Sequence, residues 1–376
     1  MSDRGSIERA KRVVVKVGSS SLTTPDGALD YSRLERLVQA LADRATRSEV
    51  ILVSSGAIAA GLAPLGLTKR PVDLASQQAA ASVGQGRLMA HYAQAFAERG
   101  LTVGQVLLTA EDVTRRSHYL NASRTLARLV ELGIIPVVNE NDTVATGEIR
   151  FGDNDRLAAL VALLVSADAL VLLSDVDGLY DGPPSAGATL LTEVRGPQDL
   201  EAVNIGGTGS AVGTGGMATK VEAAAIAGGA GIPVLLTAAD LVAAALGSNP
   251  PGTFFRPTGQ SRGARRLWLE HATAARGELV LDAGAVKAVV TGGSSLLAAG
   301  VVAVKGEFAA GDAVDLVAAD GRAVARGLVA FDSTDVPLLI GKTTQQITSE
   351  LGPDYERELV HRDDLVVLNG RGTSHE

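Results

Sequence analysis

The sequence contains no cysteine, few aromatic residues and no long apolar run. Without cysteine, the chain can form no disulfide, no thiolate metal site and no cysteine nucleophile. No stretch approaches the ~20 consecutive apolar residues that a membrane-spanning helix needs, and the opening residues MSDRGSIERAKR lack the apolar core of a signal peptide. These absences predict a cytoplasmic protein, in a reducing compartment, that makes no contact with a membrane.

The composition is that of a globular protein with an aliphatic interior. Hydrophobic residues make up 46% of the 376 residues and aromatic residues only 3%, so we expect a core of Val, Leu, Ile and Ala that fills about two or three domains. The formal net charge of -8 argues against a general binder of polyanions, but it allows small anions in a local basic pocket.

Short apolar runs alternate with stretches of helical spacing along the first two thirds of the chain. The runs lie at residues 13–17, 49–55, 103–108, 134–138, 169–173 and 232–236. Leu34, Leu37, Val38 and Leu41, spaced at i, i+3, i+4 and i+7, are typical of a helix between the first two runs. Repeated strand and helix units of this kind predict an α/β fold with an open, mostly parallel sheet and helices on both faces.

The texture of the sequence changes after GTFFRPTGQSRG, residues 252–263, which has the Gly, Pro and Ser content of a linker. Beyond it, short alternating segments such as GVVAVKG and DAVDLVA indicate a small, mostly-β domain. We therefore predict a first domain over residues 1–255, a linker over 256–275, a β domain over 276–345 and a C-terminal tail over 346–376.

The stretch NENDTVATGEIRFGDND, residues 139–155, crowds five carboxylates and three carboxamides between an apolar run and a helical pattern. Loops at the carboxyl ends of strands in α/β sheets bind small ligands, so the stretch predicts a pocket for a polar, partly cationic substrate. The alternative is a solvated surface loop in which Asp155 serves as a helix N-cap.

Two lysines lie beside glycine-rich turns and indicate a phosphate site. Lys16 precedes Gly18, and Lys220 ends the loop GGTGSAVGTGGMATK; backbone N–H groups in such loops can hold an anion next to the cation. The alternatives are a surface lysine and a mobile loop. The sequence contains no GxxxxGK[ST] loop, no GxGxxG turn after the first strand and no protein-kinase motif set. A carboxylate that accepts a phosphoryl group needs no general base. It is already ionised at neutral pH, since the pKa of a Glu side chain in water is about 4.3.

Eight motifs, taken together, resemble the glutamate 5-kinase family in order and approximate spacing. They are VVVKVGSSSL, VSSGAIAAG, ASVGQGRLM, NENDTVAT, FGDNDRLAALVA, LLSDVDGLY, GTGGMATK and HRDD. The resemblance implies the amino acid kinase fold with a C-terminal PUA domain. It also implies ATP-dependent phosphorylation of the glutamate γ-carboxylate to glutamate 5-phosphate, the first step of proline synthesis.

The resemblance also implies roles for particular residues. Lys16 and Lys220 are expected to contact ATP and stabilise the transferring phosphoryl group, and Asp155 to hold the two lysines. Ser55, Asp142 and Asn154 are expected to bind glutamate. The expected ATP-binding residues are Lys16, Ser174, Asp175, Thr214, Gly215, Gly216, Met217, Ala218, Thr219 and Lys220. Mg²⁺ is expected to enter with ATP, without a dedicated metal site on the protein.

The same resemblance implies a homodimer or homotetramer and feedback inhibition by proline. Some PUA domains bind RNA, but residues 276–342 carry six Lys or Arg against eight Asp or Glu, 6 - 8 = -2, which favours a structural or regulatory module. Two alternatives stay open at this point. One is a related kinase of acetylglutamate, aspartate or carbamate, and the other is an RNA-binding regulator without turnover.

Overall fold

The chain divides into two compact units, and each is described by itself. The computed structural model describes residues 3–24, 27–109, 112–113, 116–144, 154–182, 187–200, 203, 216–258, 269, 275–352 and 355–368. The first unit comprises Met1–Val113 and Tyr119–Arg262, and the second comprises Thr114–His118 and Gly263–Glu376. Within the described residues, no helix combines the length and the hydropathy that crossing a bilayer requires.

The described helices and strands follow one another in the alternating order that the sequence predicts for the first unit. The strands are β1 (Arg12–Val17), β2 (Glu49–Val53), β3 (Thr102–Leu108), β4 (Ile134–Glu140), β5 (Ala169–Ser174), β6 (Leu179–Tyr180), β7 (Leu190–Leu191), β8 (Glu193–Val194), β9 (Val234–Ala238), β10 (Thr253–Phe255), β11 (Gly277–Leu281), β12 (Val301–Gly306), β13 (Ala313–Val317), β14 (Ala323–Val329) and β15 (Val360–Val367). The helices are α1 (Gly5–Arg9), α2 (Ser19–Leu22), α3 (Tyr31–Ala45), α4 (Ala57–Leu62), α5 (Leu74–Ala97), α6 (Arg116–Glu131), α7 (Asn154–Leu164), α8 (Met217–Gly229), α9 (Val242–Ala245), α10 (Ala283–Val290), α11 (Val336–Leu339) and α12 (Thr344–Leu351).

Eight strands of the first unit form one sheet in the order β3-β4-β2-β1-β5-β9-β10-β8. The six strands from β3 to β9 in that order run parallel, and β10 pairs antiparallel with β9. All of residues 13–17 in β1 are buried, although successive side chains of a strand point to opposite faces. Both faces of the sheet are therefore covered, and the predicted mostly parallel sheet is confirmed.

The carboxyl ends of the central strands meet at one edge of this sheet. Lys16 is the penultimate residue of β1 and pairs in register with Val53 of β2 and Leu172 of β5. Ser55 follows β2 by two positions, and Ser174 is the last residue of β5. Parallel pairing thus brings residues that are far apart in the sequence to a common edge.

Helices α4 and α5 cross with their backbones in contact, and two glycines make this possible. A Cβ on Gly61 would lie 1.9 Å from the carbonyl oxygen of Ala80, and one on Gly84 would lie 1.7 Å from the carbonyl oxygen of Ala57. Any side chain at either position would force the two helices apart. The crossing therefore fixes the middle of α5, where Gln85 follows Gly84.

The second unit contains a five-stranded sheet in the order β12-β11-β13-β14-β15. Strand β11 pairs parallel with β13, and the other pairs are antiparallel. Leu279, Val314, Leu316 and Val360 are wholly buried in its core. The predicted second, β-rich region is confirmed.

Two elements lie next to the predicted domain boundaries. Strand β10, whose Phe254 and Phe255 are buried, pairs with β9 and ends at residue 255, where the predicted first domain ends. The stretch predicted as a tail over 346–376 contains most of α12 and all of β15, and β15 pairs with β14. Its polar residues at 361–364 obscure the apolar positions Val360, Leu365 and Val366, which are buried.

Candidate active site

Three buried charged side chains form the centre of the site. Lys16 Nζ lies 2.6 Å from one carboxylate oxygen of Asp155, and Lys220 Nζ lies 3.0 Å from the other. The exposed fractions are 2% for Lys16, 0% for Asp155 and 8% for Lys220. The cluster joins the end of β1 to the first turns of α7 and α8. One carboxylate thus holds two ammonium groups close together.

The charge of this cluster suits an anion. Two ammonium groups and one carboxylate carry one net positive charge, and burial makes each electrostatic interaction stronger than in water. Taking charges out of water is costly, and ion pairs placed at such cost cluster at functional sites. A phosphoryl group, which spreads negative charge over several oxygens, is the kind of ligand that this arrangement can stabilise.

Asp155 is therefore not the N-cap that one sequence alternative proposed. The helix α7 begins at Asn154, so Asp155 is its second residue. Its carboxylate also accepts a hydrogen bond from Thr219 Oγ1 at 3.1 Å, and the same hydroxyl lies 2.8 Å from the carbonyl oxygen of Gly216. The side chain contacts Lys16 of β1 and Thr219 and Lys220 of α8.

The residues expected to hold the nucleotide lie partly within the described structure. Gly216 is the N-cap of α8, and Met217, Ala218, Thr219 and Lys220 form its first turn. Thr214 and Gly215 lie outside the described residues. The backbone N–H groups of that turn have no partner within the helix, which favours an anion near them.

The second expected nucleotide contact lies at the end of β5. Ser174 is 4% exposed, and its hydroxyl donates to Asp175 Oδ1 at 3.0 Å. Asp175 is exposed. Both residues lie at the same edge of the sheet as Lys16, because Leu172 of β5 pairs with Lys16.

Asn154, next to Asp155, ties together three neighbouring segments. Its Nδ2 lies 2.8 Å from Ser55 Oγ, 2.9 Å from the carbonyl oxygen of Ser54 and 2.9 Å from Asn139 Oδ1. The structure thus brings together two of the three residues expected to bind glutamate, Ser55 and Asn154.

Asp142, the third of these residues, lies on the wall of a cavity of about 250 Å³. The cavity is bounded by the ends of β3 and β4 and by one side of α5. The polar residues that line it include Glu140, Asn141, Gln85 and Gln105. Glu140 and Asp142 are both acidic, a composition that suits a cationic group such as an ammonium.

The site extends to residues that the sequence interpretation did not select. Asn139 Nδ2 donates to Gln85 Oε1 at 2.8 Å, which links the cavity wall to Asn154. Ser54 Oγ lies 2.9 Å from the hydroxyl of Tyr92, and burial raises the pKa of Tyr92 while the hydrogen bond with Ser54 opposes the rise. Gln85 could have been found, because it is a polar residue within the buried stripe of α5.

The chain is similar to known proteins over nearly its whole length. The family described as amino acid kinase family matches residues 11–238, and the PUA domain matches residues 277–351. The chain is 63% identical to the glutamate 5-kinase of Streptomyces coelicolor over 369 residues, which cover 97% of this chain and 99% of that protein. The chain belongs to the glutamate 5-kinases of the amino acid kinase family.

Other glutamate 5-kinases are similar over nearly their whole length. That of Salinispora arenicola is 62% identical, covering 98% of this chain and all of that protein, and that of Thermobifida fusca is 59% identical, covering 99% and 97%. A solved isopentenyl phosphate kinase aligns with 65% of this amino acid kinase and 99% of its own chain, at 19% identity and a TM-score of 0.47.

The described residues of this amino acid kinase do not form a protein cage for a metal ion. Among them, no three His, Asp or Glu side chains meet in a group that could hold one. The carboxylate at the centre of the site, Asp155, is held by two lysines.

Proposed function

We propose that this chain transfers the γ-phosphoryl group of ATP to the γ-carboxylate of L-glutamate, producing glutamate 5-phosphate and ADP in the first step of proline synthesis. The observation that carries the proposal is the buried Lys16–Asp155–Lys220 cluster, at the sheet edge where Ser55 and Asn154 meet. Identity of 63% to a glutamate 5-kinase over nearly the whole chain supports the choice of substrate.

The chemistry requires positioning and charge stabilisation rather than a base. A carboxylate oxygen of glutamate attacks the γ-phosphorus, the bond between that phosphorus and the bridging oxygen breaks, and ADP leaves with the electron pair. The γ-carboxyl of glutamate is ionised at neutral pH, since its ordinary pKa is about 4.3. Lys16 and Lys220 stabilise the negative charge on the transferring group, and Asp155 keeps the two ammonium groups from moving apart.

The two substrates occupy neighbouring parts of the edge. ATP is held by Lys16, Ser174, Asp175 and the first turn of α8 from Gly216 to Lys220, with Thr214 and Gly215 as further expected contacts. Glutamate is held by Ser55 and Asn154 near the lysines and by Asp142, whose carboxylate pairs with the α-ammonium group. Mg²⁺ accompanying ATP would neutralise part of the charge on the transferring phosphoryl group, next to Lys16 and Lys220.

Further properties follow from the same proposal. Proline shares the glutamate pocket and inhibits by competition, so it raises the apparent KM for glutamate; an unchanged KM would contradict this. The chain works in the cytoplasm as a homodimer or homotetramer. The second unit has a structural or regulatory role, since its net charge of -2 over residues 276–342 does not favour RNA.

Trapping of the acyl phosphate tests the proposed reaction. Purified protein is incubated with Mg-ATP and hydroxylamine, and hydroxamate and ADP are measured with glutamate, aspartate, acetylglutamate and carbamate in turn. We expect glutamate to cause ADP release and to yield hydroxamate in an amount equal to that of the ADP released. If one of the other acids is turned over and glutamate is not, the substrate assignment is wrong but phosphoryl transfer to a carboxylate still holds.

A further inference from the structure

The direction of the amide groups between Asn154 and Gln85 is fixed by the backbone. The N–H of Glu140 donates to Asn139 Oδ1 at 2.9 Å, and a backbone N–H can only donate. At the other end, Asn154 Nδ2 donates to the carbonyl oxygen of Ser54, which can only accept. Asn139 therefore presents its Nδ2 to Gln85, and Gln85 must present Oε1 in return.

The Nε2 group of Gln85 is a buried donor for which the described part of the chain provides no acceptor. Gln85 is 9% exposed, and its Nε2 finds no acceptor among the residues that the structure describes. Leaving a buried donor unsatisfied costs roughly 1–3 kcal/mol, and native structures seldom accept that cost without a reason. Gln85 also lines the cavity that contains Asp142, so a ligand in the cavity is the natural source of an acceptor.

The groups that line the cavity indicate which chemical groups its ligand carries. Glu140 and Asp142 on its wall suit an ammonium group, and the Gln85 donor suits a carboxylate oxygen. A zwitterionic amino acid end carries both groups on one carbon atom. Asn154 is next to Asp155 and the lysines, whereas Gln85 is two amide hydrogen bonds further along. The Gln85 end is therefore remote from the reacting carboxylate.

We propose that Gln85 Nε2 donates a hydrogen bond to the α-carboxylate of glutamate, and that this bond selects α-amino acids over substrates that lack an α-carboxylate. This inference rests on the proposed function, since it assumes glutamate in the cavity. The hydrogen-bonded amides would then contact both ends of glutamate. Asn154 would lie near the γ-carboxylate and Gln85 near the α-carboxylate.

The test compares two substrates in one variant. 4-Aminobutyrate keeps the reacting carboxylate and the ammonium group of glutamate but lacks the α-carboxylate. In Gln85→Met, we expect the KM for glutamate to rise roughly ten- to a hundredfold, as for a lost hydrogen bond to a charged group, with kcat little changed. The constant for 4-aminobutyrate, measured as a substrate or as a competitive inhibitor, should change less than about twofold.

A second variant separates substrate contact from positioning. Gln85→Glu, assayed at pH 8.5, keeps an oxygen for Asn139 Nδ2 but replaces the donor with a second oxygen. It should raise the KM for glutamate at least as much as Gln85→Met does. If Gln85→Glu behaves like the wild type, or if Gln85→Met weakens both ligands equally, Gln85 only positions Asn139 and the proposal is wrong.

The matched control is Gln94→Met, the same change on the exposed side of the same helix, which should leave the KM unchanged. The wild type separates a failure of the proposed reaction from a failure of the proposed Gln85 contact. If it makes no glutamate-dependent hydroxamate, the proposed function fails; if it does and neither Gln85 variant alters the KM, only the present inference fails.

Discussion

Asp155 is a wholly buried carboxylate whose two oxygens each face a buried ammonium group. Removing one charge from such a cluster leaves the others buried without compensation, which typically costs about 3–5 kcal/mol. We therefore expect two roles for the Asp155 carboxylate. It stabilises the folded first unit, and it keeps the two lysines together for catalysis.

Asp155→Asn removes the negative charge of this side chain while keeping its shape. We expect a loss of unfolding free energy of about 3 kcal/mol or more, seen as a fall in thermal midpoint of roughly 6–12 °C for a domain of this size, together with a large loss of kcat. Scanning calorimetry and the hydroxamate assay measure the two effects. An unchanged or higher midpoint would mean that the lysines do not depend on this carboxylate.

Buried tyrosines predict how stability depends on alkaline pH. Burial raises the pKa of Tyr92 above its ordinary value near 10, and it raises the pKa of Tyr119 to about 12. Above pH 10 the unfolded chain gives up these protons while the folded chain retains them, so the stability present below pH 10 is lost as the pH rises.

Tyr92→Phe should lessen that alkaline loss. At pH 7 the variant is expected to be less stable by about 1 kcal/mol, because Ser54 loses its hydrogen-bond partner. From pH 10 to 12, however, its denaturation midpoint in urea should fall less steeply than that of the wild type. Parallel slopes for the two proteins would show that Tyr92 does not remain protonated by burial.

At the scale of single residues, the sequence indicated the charged groups better than the amides. Lys16 and Lys220 were visible beside glycine-rich turns, because a lysine in an apolar strand or in a first helical turn is out of place. Asn139 and Gln85 meet in a tertiary contact between β4 and α5. The sequence can mark Gln85 as a polar residue in the buried stripe of α5, but it does not show which residue Gln85 contacts. The N-cap alternative for Asp155 was wrong because the partners of that carboxylate are 139 and 65 positions away.

Among the elements, α4 and α5 show how glycine controls a contact. The helix α5 contains two glycines, Gly84 and Gly86, which differ in their surroundings: a Cβ on Gly84 would overlap the Ala57 carbonyl oxygen, whereas a Cβ on Gly86 would meet nothing within 4 Å. Glycine in a helix interior otherwise costs roughly 0.5–1 kcal/mol relative to alanine.

The same substitution two residues apart should therefore have opposite effects. Gly84→Ala should lower the unfolding free energy by roughly 1–3 kcal/mol or more, since it overpacks a backbone contact, and Gly61→Ala should do the same. Gly86→Ala should raise it by up to about 1 kcal/mol. Midpoints of urea denaturation give the comparison, and a destabilised Gly86→Ala would mean that the helix has another constraint there.

The elements of the first sheet were predictable because parallel strands buried on both faces appear as continuous apolar runs. Runs such as VVVKV and IIPVV needed no tertiary information. Strands β10 and β15 were harder to recognise in the sequence, because a strand of three residues, or one interrupted by the polar run HRDD, shows too little periodicity to be distinguished from a loop. Their pairing with β9 and β14 is decided by long-range contacts.

The whole molecule is expected to assemble. Four exposed apolar side chains lie within nineteen residues of sequence, namely Leu65, Val72, Leu74 and Val83, and apolar surface in contact with water favours association when it is contiguous. Light scattering coupled to size-exclusion chromatography should give a mass of at least twice the 38.4 kDa of one chain. A mass near 38.4 kDa at assay concentrations would contradict the expected homodimer or homotetramer.

The most direct test of the central claim, glutamate phosphorylation at the lysine cluster, compares hydroxamate formation in Lys220→Ala and Asp142→Ala with the wild type. We expect Lys220→Ala to lose mainly kcat, because it removes transition-state stabilisation, and Asp142→Ala to raise mainly the KM for glutamate, because it removes substrate binding. Full activity in Lys220→Ala, or the same loss of kcat in both variants with no change in KM, would contradict the central claim.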